Sequence, residues 1–106
     1  MEQTQISEIV ARQTAFFNSH ATLPVDVRIQ KLKLLKSNIK KYENYVIEAL
    51  NIDLGKSEFE AFAGEVGLAA HEITFHISNL KHWAKPEKVS TPLFSFPSKS
   101  YIHKQP

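Results

Sequence analysis

Residues 57–86 constrain the fold most, because their pattern predicts one long helix with a defined start and end. Ser57 and Glu60 have the spacing of a capping box, in which each side chain accepts a hydrogen bond from the other residue's backbone N–H. Apolar residues follow at steps of three and four, as one face of a helix requires. These residues are Phe59, Phe62, Val66, Ala69, Ile73, Ile77, Leu80 and Ala84. Pro86 disfavours helical geometry at Lys85, so we expect a helix over residues 58–84 with the upstream chain packed against it.

A second long helix is predicted over residues 24–54. Pro24 suits the first helical turn, where its missing N–H costs nothing, and Gly55 suits a left-handed cap at the far end. The apolar face of this helix is formed by Val25, Ile29, Leu32, Leu35, Ile39, Tyr42, Val46 and Leu50. Because only two residues separate this helix from Ser57, the two helices must fold back on each other as an antiparallel hairpin.

The two ends of the chain have a different character. Residues 6–17 predict an amphipathic helix that is too short to persist alone and is expected to dock on the hairpin. Residues 87–106 contain Pro92 and Pro97 and predict an extended linker, with residues 100–103 as the start of a strand. The predicted fold class is therefore mainly α: a helical segment over residues 1–86, comprising a short helix and a long hairpin, and an extended tail that looks interrupted.

Composition excludes several kinds of function. The chain has no cysteine, so it has no thiolate nucleophile, disulfide or cysteine metal site. A net charge of +2 over 106 residues is too small to indicate a nucleic-acid or anionic-membrane partner. No window is apolar enough to span a membrane. The N-terminal residues do not have the pattern of a signal peptide, so the expected compartment is the cytoplasm.

Neither the histidines nor the lysines form a recognisable site. His71 and His76 are five residues apart, whereas zinc ligands on a helix are usually three or four apart, so no metal site is predicted. Six basic residues occur without an acid between residues 27 and 42: Arg28, Lys31, Lys33, Lys36, Lys40 and Lys41. Such a run can bind phosphates, but no aromatic residues interleave with it and acids follow on the same helix. A solvated helix face is the favoured interpretation.

Gly64 and Gly67 lie within the predicted helix 58–84, where each costs about 1 kcal/mol relative to alanine. With the neighbouring alanines they form a small-residue patch that favours close approach of another helix, or alternatively of a ligand path. The sequence contains no phosphate-binding glycine loop. From the residues alone the chain is a helical hairpin without an assignable reaction.

A series of short segments nevertheless runs through the chain in a characteristic order. The segments are 17–22, 28–30 with Leu32 and Leu35, 49–50, 53–56, 57–62, 65–67, 72–73, Leu80 with Trp83, 85–86, Val89, 91–92 and 97–102. The series resembles the N-terminal region of the aldehyde dehydrogenase superfamily, in particular its class 3 or fatty-aldehyde-type branch. One departure is His20, where that family usually has glycine in the turn after the first helix.

The resemblance implies an enzyme that oxidises aldehydes to carboxylates with NAD or NADP, through a cysteine nucleophile and a glutamate that activates water. This chain contains no such cysteine, so the resemblance implies an inactive segment that binds no cofactor itself. Its implied partner is the remainder of the aldehyde dehydrogenase chain, and we also expect a homo-oligomer formed through exposed apolar helix faces. By position, Gly64 and Leu68 would lie nearest the entrance for aldehyde substrates.

Two other hypotheses remain open at this point. The chain could be a free-standing helical interaction module that pairs through its apolar face, in which case it would be compact, monodisperse and cooperative in melting. It could instead bind nucleic acid through the basic run, which predicts salt-sensitive retention on DNA.

Overall fold

A computed structural model describes residues 3–106. The elements in chain order are α1 Gln3–Asn18, α2 Val25–Lys41, α3 Glu43–Leu54, α4 Glu58–Ala61, a π-turn at Phe62–Val66, α5 Gly67–Trp83, β1 Glu87–Val89, a 3-10 turn at Leu93–Ser95 and β2 Ser100–Ile102. The chain is thus mainly helical, as predicted.

Helices α2 and α5 form an antiparallel pair, as the hairpin prediction requires. The start of α2 lies beside the end of α5, where Lys81 Nζ is 3.6 Å from Asp26 Oδ1. Nearer the closed end of the hairpin, Lys36 Nζ donates to Thr74 Oγ1 at 2.6 Å. The hairpin closes where Gly55 adopts φ 66° and donates its N–H to Asn51 O.

The capping box predicted at the start of the second arm is present. Glu60 N donates to Ser57 Oγ at 3.2 Å, and Ser57 N donates to Glu60 Oε2 at 3.4 Å. These two bonds occupy backbone donors that would otherwise have no partner at the start of the helix.

Neither arm of the hairpin is one regular helix, which differs from the prediction of continuous helices over 24–54 and 58–84. The first arm bends at Tyr42, with φ −101° and ψ 13°. Backbone hydrogen bonds still cross the bend, from Tyr42 N to Asn38 O and from Val46 N to Tyr42 O. The second arm widens into the π-turn at Phe62–Val66. Helix α3, which begins directly after the bend, contacts the π-turn.

Gly67 packs closely against the backbone of the π-turn. Gly67 donates its N–H to the carbonyl oxygen of Phe62, five residues earlier. A Cβ atom at position 67 would lie 2.9 Å from that same oxygen, which is closer than a carbon and a carbonyl oxygen tolerate. A larger residue would therefore disturb the backbone of the turn.

Helix α1 does not dock on the hairpin as the sequence predicted. None of its residues is buried, and it forms no extensive interface with another element of the described chain. The periodicity of residues 6–17 identifies an apolar face correctly. That face is left uncovered by the rest of residues 3–106.

The turn after α1 explains why glycine would suit position 20. His20 has φ 62°, in the left-handed region that residues with a Cβ occupy at a cost. The turn is held by hydrogen bonds from His20 N to Phe17 O and from Leu23 N to His20 O, both 3.1 Å. Histidine therefore adopts the glycine-type conformation instead of changing the turn.

The tail is more ordered than an extended linker. Strands β1 and β2 pair antiparallel, with Lys88 opposite Tyr101, so the predicted strand at residues 100–103 has a partner that sequence analysis missed. The loop between the strands carries three strongly exposed apolar side chains, Leu93, Phe94 and Phe96.

Little of the apolar surface is buried. Among the described residues the buried hydrophobic side chains are Ile29, Ala61 and Val66. The radius of gyration is 20.3 Å, against about 13 Å for a compact domain of this length. The accessible surface is 8785 Å², against about 6,000 Å² for a folded monomer of this mass. The chain is elongated, with principal-axis extents of 65 × 36 × 21 Å.

Candidate functional site

The two residues predicted to lie near a substrate entrance share one side of the second arm. Gly64 lies in the π-turn and Leu68 in the first turn of α5, four residues on, a spacing that makes side chains neighbours on a helix. Leu68 is 60% exposed. A Cβ at Gly64 would meet no heavy atom within 4 Å. No helix within residues 3–106 covers this side, so its role as a substrate path stays a prediction.

Ala61 and Val66 are the buried residues of this part of the arm, at 0% and 6% exposure. Ala61 ends α4 and Val66 ends the π-turn. The residues of the small-residue patch therefore differ in what surrounds them. Ala61 is fully buried, Gly67 is covered by Phe62 of its own arm, and Gly64 has no neighbouring heavy atom on its Cβ side.

A groove of about 630 Å³ lies between α2 and the second arm. Its apolar lining comes from Ile39, Phe62, Val66, Ala70 and Ile77. Three lysines of α2 also line it, namely Lys33, Lys36 and Lys40. Gly64 and Leu68 are not part of this lining.

Lys36 is the best fixed of these lysines, through its hydrogen bond to Thr74. Thr74 in turn donates to Ala70 O at 3.0 Å, so a short chain of hydrogen bonds crosses the groove wall. Near the closed end of the hairpin, Lys56 Nζ and Glu65 Oε1 form an ion pair at 2.6 Å.

The groove was not predicted from the sequence, although the pattern of its basic edge is present there. Lys33, Lys36 and Lys40 recur at steps of three and four, which places them on one side of α2. That spacing predicts a row of basic residues along one side of α2. It does not predict that the row borders an apolar groove, because the groove forms only where α5 packs beside α2.

Two kinds of chemical group are absent from residues 3–106, namely thiols and clustered metal ligands. The sequence lacks cysteine altogether, and across residues 3–106 no three histidine, aspartate or glutamate side chains come close enough together to hold a metal ion. His76 is occupied locally, with Nδ1 2.9 Å from Glu72 O. Within the same residues, every helix is too short or too polar to cross a membrane.

Sequence comparison identifies the relatives of the chain. A Staphylococcus aureus protein, 4,4'-diaponeurosporen-aldehyde dehydrogenase, is 46% identical over 92 residues, which cover 87% of this chain and 20% of that protein. The dimeric NADP-preferring aldehyde dehydrogenase of dog is 39% identical over 103 residues, covering 97% of this chain and 23% of the relative. The homologues of this chain are aldehyde dehydrogenases. Further relatives of family 3 include one from Dictyostelium discoideum, 38% identical over 90 residues, which confirms the class 3 resemblance.

Structural comparison agrees with this aldehyde dehydrogenase assignment. A solved structure described as the substrate-bound state of Staphylococcus aureus AldH matches with a TM-score of 0.89 and 42% identity. The match covers 95% of this chain and 22% of that one. The chain spans about a fifth of the length of the curated relatives it matches, consistent with their N-terminal part. No protein-family profile matches it.

Proposed function

We propose that this chain is the N-terminal helical part of an NAD(P)-dependent aldehyde dehydrogenase, which oxidises aldehydes to carboxylates. The observation that supports this most directly is the match to a solved aldehyde dehydrogenase over 95% of the chain. In this proposal the chain supplies structural support, and the groups that carry out the oxidation belong to the rest of the enzyme.

The large exposed surface of the chain supports the proposal that it packs against a large partner. The accessible surface of 8785 Å² exceeds that of a compact monomer of the same mass by roughly 2,800 Å². Exposed apolar side chains occur on α1, on α3 and on the loop after β1. We propose that the remainder of an aldehyde dehydrogenase chain covers much of this surface, because burying apolar area is the main favourable term in such contacts.

The chain alone is expected to be inactive and to bind no cofactor. It has no cysteine for covalent attack on an aldehyde and no glycine-rich loop for a dinucleotide phosphate. Titration of the purified chain with NAD and NADP, followed by calorimetry, should give no saturable binding. Saturable binding in the micromolar range, or turnover of an aldehyde by the chain, would contradict the proposal.

A chimera tests the structural role directly. This chain would replace the matching segment of the Staphylococcus aureus 4,4'-diaponeurosporen-aldehyde dehydrogenase, which is 46% identical to it. We expect the chimera to oxidise the aldehyde in that enzyme's name within about tenfold of the parent. A chimera that purifies as a folded protein but has no activity would oppose the proposal.

We further propose that Gly64 and Leu68 border the substrate entrance in the complete enzyme. Both lie on the open side of the second arm, where no helix of residues 3–106 covers them. In the chimera, Leu68→Trp should raise KM for a bulky aldehyde several-fold while kcat for a small aldehyde stays unchanged. Leu34→Trp is the matched control, because Leu34 on α2 is similarly exposed and does not line the groove. Equal kinetics for the two variants would refute this placement.

The compartment remains the prediction made from the sequence, which is the cytoplasm.

A further inference from the structure

The loop between β1 and β2 carries the most exposed large apolar side chains of residues 3–106. These are Leu93, Phe94 and Phe96, which are 90%, 91% and 81% exposed. Leu93 and Phe96 are three residues apart in a 3-10 turn closed by the hydrogen bond from Phe96 N to Leu93 O, so their side chains lie on one side of the turn. These three residues form the apolar tip of the loop, which makes little contact with the rest of the described chain.

Few backbone donors of this loop would lose a partner on leaving water. The N–H groups of Ser95, Phe96 and Ser98 donate to carbonyl oxygens of the same loop at 2.8–3.1 Å. Pro92 and Pro97 have no N–H group. Because an unpaired donor is costly to transfer from water to an apolar phase, these features lower the free-energy cost of placing the loop in such a phase.

The base of the loop is also held in place. Thr91 Oγ1 donates to Ser100 Oγ at 2.8 Å, and Val89 lies opposite Ser100 in the strand pair. A loop that is already ordered loses little conformational freedom on binding. The apolar tip is therefore preorganised for contact with a partner surface.

Positive charge flanks the apolar tip. From residue 88 to residue 106 the chain has no aspartate or glutamate and three lysines, namely Lys88, Lys99 and Lys104, all of them exposed. Lys104 Nζ is 3.9 Å from Glu87 Oε2, whereas Lys88 and Lys99 form no ion pair with any residue that the structure describes. The net charge of +2 for the whole chain does not show this local excess, because it averages over the acidic residues of the helices.

An apolar projection with cations behind it is complementary to the two layers of an anionic bilayer. The acyl region accepts apolar side chains, and aromatic residues favour its boundary with the headgroups. Negatively charged headgroups attract lysines that lie close to the surface. A bilayer also needs no cavity shaped to fit the projecting side chains, which a protein partner would have to provide.

We propose that the loop over residues 91–99 binds an anionic phospholipid surface. The apolar tip enters the boundary between headgroups and acyl chains, and Lys88 and Lys99 lie among the headgroups. This inference rests on the strand pair and its loop and does not depend on the proposed enzymatic role. It leaves the exposed apolar residues of α1 and α3 to the remainder of the enzyme.

Flotation of the purified chain with phospholipid vesicles tests the apolar part of the contact. We expect the wild-type chain to float with vesicles made of equal parts phosphatidylcholine and phosphatidylserine. F94S/F96S should weaken this binding by about tenfold or more, because it removes the inserted apolar area. Y45S/I52S is the matched control and should bind as the wild type does, because Tyr45 and Ile52 on α3 are similarly exposed, at 70% and 74%.

The same assay tests the charged part of the contact. K88Q/K99Q should weaken binding to the phosphatidylserine vesicles by about fivefold or more and leave binding to pure phosphatidylcholine unchanged. Raising NaCl from about 50 mM to about 500 mM should weaken wild-type binding in the same way. K31Q/K33Q makes an equal charge change at exposed lysines of α2 and should have no such effect.

Tryptophan quenching shows which part of the chain enters the lipid. Phe94→Trp should be quenched by lipids that carry bromine on their acyl chains, whereas Tyr45→Trp on α3 should not be. The measurement is made on this chain and on the chimera with the Staphylococcus aureus enzyme. Circular dichroism should show equal helix content for every variant, because all the substituted positions are exposed.

Three outcomes would overturn the proposal. Absence of wild-type binding to the anionic vesicles would show that the loop has no affinity for lipid. Equal losses in F94S/F96S and Y45S/I52S would indicate adhesion by any exposed apolar residue. Quenching of Phe94→Trp in the chain but not in the chimera would show that the rest of the enzyme covers the loop.

Discussion

The π-turn region and helix α1 differ in how much of their apolar surface is covered. Val66 ends the π-turn and is 6% exposed, whereas Val10 in the middle of α1 is 54% exposed. Both residues belong to amphipathic helical patterns of the same kind. The difference shows that an apolar stripe identifies the face that needs a partner, while the position of the neighbouring helices decides whether this chain supplies one.

The largest expected effect comes from placing a charge at each of these two valines. Val66→Asp would bury a carboxylate with no partner, which should lower the free energy of unfolding of the hairpin by about 3 kcal/mol or more. Val10→Asp should change it by less than about 0.5 kcal/mol, because the side chain stays in water. Urea unfolding followed by circular dichroism at 222 nm measures both. Equal losses would mean that α1 is packed in solution, and the contrast between the regions would disappear.

An intermediate effect is expected from the two glycines at the π-turn. Gly67→Ala places a Cβ 2.9 Å from Phe62 O, so the backbone must shift, and we expect a loss of about 1–3 kcal/mol. Gly64→Ala meets no atom within 4 Å and should gain about 0.5–1 kcal/mol, because alanine is the better helix former. The pair is compared by thermal unfolding. A gain from Gly67→Ala would show that the turn reverts readily to a regular helix.

The smallest effect is expected in the turn after α1. His20→Gly removes the strain of a Cβ at φ 62°, which costs about 1–2 kcal/mol. The greater backbone freedom of glycine offsets about 0.5–1 kcal/mol of that gain, which leaves a net increase of about 0.5 kcal/mol in the free energy of unfolding, measured by urea titration. His20→Ala keeps the Cβ and should not gain. If His20→Gly lowers stability instead, the imidazole makes a contact that matters more than the backbone strain.

Much of the fold could be predicted from the sequence because its signals are local. The capping box at Ser57, the left-handed cap at Gly55 and the short connection between the arms each depend on a few neighbouring residues. Together they determine the hairpin. The order of short segments also identified the family, which the comparisons confirm.

The remaining features depend on packing, which no local pattern reports. No proline or glycine marks the bend at Tyr42 in the sequence. Strand β1 was not predicted from the sequence and is recognised only by its pairing with residues 100–102. The groove has the same cause: its lysines are evident in the sequence, but its apolar walls come from two helices that are distant along the chain.

The π-turn has a consequence for how homologous chains are aligned. It fits five residues into a span that a regular helix crosses with four, so it can be gained or lost through a single inserted or deleted codon. In a regular helix an added residue would rotate the downstream part by about 100°, but a single wide turn of the π type absorbs it. A relative with a regular helix and without the extra residue would therefore keep the side chain aligned with Leu68 on the same side of the arm. Gaps placed between residues 62 and 67 in such alignments mark a local widening of the helix, and the downstream register is preserved.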